Sequence, residues 1–212
     1  MRYDAVIFDM DGTLIDSERL IVETGQAALR ALGLPDDPTP LHEMIGTSGD
    51  TGDRILRDAF PGLDLEALNA HWREGFGRAQ AEGLPLRPGA AELLRRLEGR
   101  DIALATNSRT AYARENLDRS GIGHHFPDAH LWGRDRVANP KPAPDLFLAA
   151  AAAHGAEPAR CLVFEDSEPG TRAALAAGMV VVQVPDQRPA ATREAHHLAE
   201  SLLDGARAAG LI

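Results

Sequence analysis

From about residue 101 to residue 184 the chain alternates between short apolar runs and helical patterns, and this rhythm constrains the fold more than any other feature. The runs at 102–106, 161–165 and 179–184 read as strands buried on both faces, because apolar residues pass through them without polar alternation, and a shorter run at about 129–132 reads as a further strand. Helical patterns near 90–97, 109–119, 144–154 and 169–178 precede and separate them. Connections of that length suit crossovers rather than hairpins. The expected fold is therefore α/β, a doubly wound parallel sheet with helices on both faces, in which ligands sit outside the carboxyl ends of the strands.

One more strand, Ala5-Val6-Ile7-Phe8, stands near the N-terminus, and no strand-like run follows it until residue 101. The stretch between is helical: about 17–32, 51–60 and 64–82, with Gly33-Leu34-Pro35 and Pro61-Gly62 as stops. The expected organisation is a core domain from residues 1–15 and 88–212. An all-helical cap domain of residues 16–87 is inserted after the first strand, above the strand ends.

At 212 residues, 44% hydrophobic and 25% charged, the chain has the composition of an ordinary globular protein. Its net charge of −10 argues against nucleic acid and anionic membrane as partners, since both favour basic surface. An anionic small molecule stays open if a metal and a basic side chain invert the local field. Cys161 is the single cysteine and stands in an apolar run, which fits a reducing compartment. With no basic leader or long apolar stretch before the first strand, a cytoplasmic protein is expected. A monomer is also expected.

The chemistry collects at strand ends. Asp9-Met10-Asp11-Gly12-Thr13 closes the first strand, and side chains two apart on an extended backbone face the same way. Two carboxylates held so close call for a cation, a shared proton, or both. Gly12 lets the chain turn, leaving backbone N–H groups to meet an anion. Thr106-Asn107-Ser108 ends the strand at 102–106 with a hydroxyl and backbone amides; Glu165-Asp166-Ser167 ends the strand at 161–165 with two more acids. Either segment alone reads as a helix cap. Of the 22 basic residues only Lys141 is a lysine, in Asn139-Pro140-Lys141-Pro142. A compact ammonium can reach a phosphoryl oxygen and a carboxylate where a planar guanidinium does not fit.

In order and spacing these four segments resemble the haloacid dehalogenase superfamily of hydrolases, in the branch with a helical cap after the first motif. The stretches from Lys141 to Phe147 and from Phe164 to Gly170 resemble its β-phosphoglucomutase and sugar-phosphatase subgroup. The resemblance implies a Rossmann-like core and a Mg²⁺-dependent phosphatase acting on a small phosphomonoester, a sugar phosphate, through an aspartyl-phosphate. It implies that Asp9 attacks phosphorus and that Asp11 is the general acid and base. Asp9, the Asp11 main-chain carbonyl and Asp166 would hold Mg²⁺, with Glu165 a direct or water-bridged ligand. Asp11, Gly12, Thr106, Asn107 and Lys141 would bind the phosphoryl group. Ser17, Thr47, Ser48 and Arg54 are the cap residues expected to read the leaving group. Two departures bear on the reaction: Ile21 stands where the mutase branch carries a cap histidine, and the cap has no lysine. A phosphoryl mutase acting on a hexose 1-phosphate is thus the second reading. A non-enzymatic phospho-acceptor module is the third, disfavoured by the large insertion.

Overall fold

The computed structural model describes residues 3–44, 49–186, 190 and 192–212. Its chain divides into two compact units, Met1–Asp16 with Pro85–Ile212, and Ser17–Leu84.

The first unit is built on a six-stranded parallel sheet: β1 (Ala5–Phe8), β2 (Ile102–Thr106), β3 (Leu131–Gly133), β4 (Cys161–Glu165), β5 (Val180–Gln183) and β6 (His197–Leu198), in the order β3-β2-β1-β4-β5-β6. β1 is central, and the chain winds outward from it first to one side and then to the other. Its α-helices are α5 (Ala90–Arg96), α6 (Thr110–Arg119), α7 (Asp145–Ala153), α8 (Glu168–Ala176) and α9 (Leu202–Ala208). Ile7, Ala103, Val163 and Val181 pack on one face of the sheet with Phe147 and Ala150 of α7 and Ala173 and Ala174 of α8. Right-handed crossovers put α5 and α6 on the opposite face, where Phe8 stacks on Phe164 at 5.1 Å and meets the Phe126 ring edge at 6.3 Å. Every residue of β1, β2 and β4 is buried, which explains their unbroken apolar runs.

Three differences from the sequence reading have physical causes. β3 begins at Leu131 rather than near 129, because Asp128–His130 close a 3₁₀ turn ahead of it. β6 and α9 lie in a polar stretch with no run long enough to be read as a strand. There the Nδ1 of His196 accepts from the Val181 N–H at 3.2 Å and helps fasten the sheet edge. Residues 16 and 85–87 belong to the sheet unit: the Asp16 N–H donates to the Pro85 carbonyl (2.8 Å) and the Arg87 N–H to that of Leu14 (2.9 Å).

The second unit contains α1 (Ser17–Ala31), α2 (Thr39–Met44), α3 (Gly49–Ala59) and α4 (Leu65–Glu82). Asp64 caps α4 by accepting from the Ala67 N–H. Leu29, Leu41, Leu56, Phe60, Leu68 and Trp72 form a core of its own. No helix among the described residues is long and apolar enough to cross a membrane.

Candidate active site

The carboxyl ends of β1, β2 and β4 lie side by side, so residues far apart in sequence meet there. Phe8 is in register with Leu104 on one side and Phe164 on the other. Asp9, one residue on, leaves the sheet beside Glu165 on the face that Ile7 and Val163 share. Its N–H donates to the Phe164 carbonyl at 3.0 Å, which fixes the backbone that carries the carboxylate.

Lys141 arrives from the loop between β3 and α7, ahead of a cis peptide bond to Pro142. Its Nζ donates to Asp9 Oδ1 and to Glu165 Oε1, 2.6 Å each, and stands 4.8 Å from the centre of the Phe147 ring. Burial alone would discharge the lysine, but the carboxylates of Asp9 and Glu165 outweigh it and hold its pKa above the ordinary value. Burial also pushes the Asp9 carboxyl up, to about 8; Lys141 opposes this, and the charges of Glu165 and Asp11 add to it. The Lys141 backbone is clamped by the Asn107 side chain, whose Oδ1 accepts from the Lys141 N–H (2.9 Å) and whose Nδ2 donates to the Lys141 carbonyl (3.1 Å). Asn107 was expected to contribute its backbone to a phosphate; its side chain has this further task.

Gly12 departs from expectation. Its N–H donates to the Ile15 carbonyl at 2.8 Å, so the amide thought free for an anion is engaged within the turn that closes over Asp11 and Ile15. Glycine is required there for two other reasons. Its φ is +80°, and a Cβ would run into the Asp166 carboxylate. The Thr13 hydroxyl donates to Asp166 Oδ1 at 3.3 Å, a second hold on the same carboxylate.

Asp11 and Thr106 are held by one short segment. The Ser108 hydroxyl donates to Asp11 Oδ2 at 2.8 Å, and the Ser108 N–H donates to Thr106 Oγ1 at 3.0 Å. Thr106, almost fully buried, therefore uses its oxygen as an acceptor and keeps its own proton to donate.

Asp9, Glu165 and Asp166 bring one carboxylate oxygen each to within 4.8 Å of one another, the one such acidic cluster among the described residues. Three carboxyl groups and one ammonium meet in this buried place, and oxygen donors of this kind suit a hard divalent cation. The members are not equivalent. Glu165 Oε1 is taken by Lys141, and Oε2 accepts from both the N–H and the hydroxyl of Ser167 (3.0 and 2.9 Å). The Asp11 side chain stands outside the cluster.

In the second unit, Ser17 is buried at the start of α1 and Arg54 is exposed on α3. Thr47 and Ser48 lie outside the described residues. Sequence reasoning gave no task to Thr13, Ser167 or Gln183 and saw Ser108 only as a helix cap. The signal for Ser167 was available in its place before Glu168-Pro169, and it does cap α8 by accepting from the Gly170 N–H. For Ser108 no local signal existed, because its partner is 97 residues away.

The sequence profile of haloacid dehalogenase-like hydrolases matches residues 3–178. The fructose-1-phosphate phosphatase YqaB of Escherichia coli is 36% identical over 191 residues, covering 86% of this chain and 97% of that protein. The phosphorylated carbohydrates phosphatase of Thermotoga maritima is 34% identical over 179 residues, 83% of this chain and 82% of its own. Among solved structures, a HAD family hydrolase of Deinococcus radiodurans with bound phosphate and sodium superposes with a TM-score of 0.82 at 30% identity, over 98% of this chain and 95% of that one.

Proposed function

The chain belongs to the haloacid dehalogenase-like hydrolases, and from that membership we propose a Mg²⁺-dependent phosphatase of small sugar phosphates working through an aspartyl-phosphate on Asp9. The observation that carries the reading is the buried Asp9 carboxylate, held by Lys141 at 2.6 Å beside Glu165 and Asp166 at the strand ends. Names among the relatives support the substrate class: one acts on fructose 1-phosphate and another on phosphorylated carbohydrates.

Asp9 and Asp166, with Glu165 reaching through water, are the residues that would hold Mg²⁺. When bound, the ion neutralises charge on the phosphoryl oxygens and orients them. The free oxygen of Asp9 attacks phosphorus, forming the Asp9–phosphorus bond as the bond to the leaving alcohol oxygen breaks. Asp11, protonated for this step, gives that oxygen its proton. Lys141 and Thr106 then donate to the transferring oxygens, where positioning and charge do most of the catalysis. In the second half Asp11 takes a proton from water, whose oxygen bonds to phosphorus as the bond between phosphorus and the Asp9 oxygen breaks, releasing phosphate and restoring the Asp9 carboxylate. Ser108 keeps Asp11 aimed between the two steps. Helices 17–84 would act as the cap that selects the leaving group through Ser17 and Arg54, with Thr47 and Ser48.

Hydrolysis is favoured over internal transfer because Ile21 packs against the apolar core of the second unit and offers no proton relay. The reading includes a monomer, and the free, buried Cys161 suits a cytoplasmic location. The test is a panel of phosphomonoesters, including fructose 1-phosphate and β-glucose 1-phosphate, followed by phosphorus NMR with Mg²⁺. Inorganic phosphate is expected from sugar phosphates, with none from the Asp9→Asn protein. Conversion of β-glucose 1-phosphate to glucose 6-phosphate without matching free phosphate would replace this reading with the mutase.

A further inference from the structure

Gln183 is the one amide in the apolar run Val180-Val181-Val182-Gln183-Val184, and its placement is costly. It is 1% exposed at the carboxyl end of β5, in register with Glu165 of β4. Its side chain leaves the sheet on the same face as those of Glu165 and Val181. Nε2 donates to the Asp166 main-chain carbonyl at 3.3 Å. A carbonyl can only accept, so the nitrogen must be the near atom, and Oε1 is left buried with no hydrogen-bond partner among the described residues. A valine or leucine there would remove that unpaired acceptor and match the surrounding strand. A buried amide among valines, joined to the protein by one hydrogen bond, calls for a compensating role.

The role follows from what the amide holds. Beyond Glu165, β4 stops pairing: the Val184 N–H reaches the Glu165 carbonyl at 2.7 Å, and the Asp166 carbonyl lies past the last rung of the ladder. Gln183 supplies the partner that the ladder no longer can. The Asp166 carboxylate is meanwhile pressed against Gly12 and lies within reach of Thr13. We propose that Gln183 is a positioning residue for the divalent-cation site, fixing the Asp166 backbone so that its carboxylate stays against that of Asp9. The inference rests on the metal-dependent reading above. It adds a residue that acts on the cation only through Asp166.

The test measures cation binding without turnover. Mg²⁺ is titrated calorimetrically into the wild-type chain and into Gln183→Met, which keeps length and burial but cannot donate; thermal unfolding without metal is recorded for both. Groups that orient a metal ligand typically contribute 10–100-fold in affinity. The expected result is a Mg²⁺ Kd raised by about that factor, with a metal-free midpoint equal to or above wild type because the unpaired Oε1 is gone. A lowered midpoint with Kd unchanged within threefold would make Gln183 merely structural and overturn the proposal. If Gln183→Met does not fold, Gln183→Val, matching its neighbours in β5, is put through the same comparison. Failure of the wild type itself to bind Mg²⁺ would remove the metal-dependent reading and this inference with it, an outcome distinct from an unaffected variant.

Discussion

At Asp9 burial and charge pull in opposite directions, and the balance can be read from pH. Its carboxyl is raised to about 8 from an ordinary value of 3.8. A raised acid contributes stability fully below its unfolded pKa and loses it as pH climbs to the folded one. The metal-free protein should therefore lose stability between about pH 4 and 8, with a slope on the order of 1.4 kcal/mol per pH unit from this group. Asp9→Asn should flatten that slope, measured by thermal unfolding in chelator across pH, while turnover falls by more than about a thousandfold, roughly 4 kcal/mol of barrier. An equal slope in both proteins would place the titration elsewhere. Lys141 gives a sharper test. Its ammonium bridges two carboxylates beneath the Phe147 ring, and a planar guanidinium is too wide for that place. Lys141→Arg should lose at least tenfold in kcat, a size typical of a displaced charged donor, despite keeping the charge. Activity within a few-fold of wild type would show that any cation serves.

Among the elements, α8 and α4 make contrasting predictions from the same substitution. Gly170, in the first turn of α8, lies against the Glu165 carboxylate, and a Cβ there would collide with it. Gly170→Ala should push Glu165 from Lys141, costing about 1–3 kcal/mol as overpacking does, and lowering activity with it. Gly77, inside α4, has nothing within 4 Å of an added Cβ. Gly77→Ala should stabilise the protein by about 0.5–1 kcal/mol, since glycine costs that much in a helix interior. Urea unfolding of both variants decides the pair; the same sign for both would mean that the close approach at Gly170 does not govern α8.

For the whole molecule, the two units each hold one of the two tryptophans, Trp132 in the sheet unit and Trp72 in the helical one. The acidic cluster lies entirely in the sheet unit. In a Trp72→Phe protein, the unfolding free energy read from Trp132 fluorescence should rise with Mg²⁺, by about 2.7 kcal/mol at a hundredfold excess over Kd, and the midpoint with it. Replacing Asp166 by Asn should abolish the rise. A midpoint indifferent to Mg²⁺ would speak against cation binding in that unit.

Residue order alone determined the parallel sheet, its covering helices and the helical insertion, because each depends on local periodicity and on crossover length. It also marked Asp9, Thr106, Glu165 and Asp166, since a polar residue closing an apolar strand is visible without knowing its neighbours. The unique lysine gained its meaning from composition in the same way. What only the tertiary structure decided was how these groups divide the labour. Register between β1, β4 and β5 puts Asp9, Glu165 and Gln183 on one face of the sheet. The turn after Asp11 consumes the Gly12 amide, and Ser108, Asn107 and Gln183 reach partners supplied by other strands and loops. Such bonds join residues brought together by pairing rather than by sequence, and a hydroxyl or amide carries no local mark of the distant group it will meet.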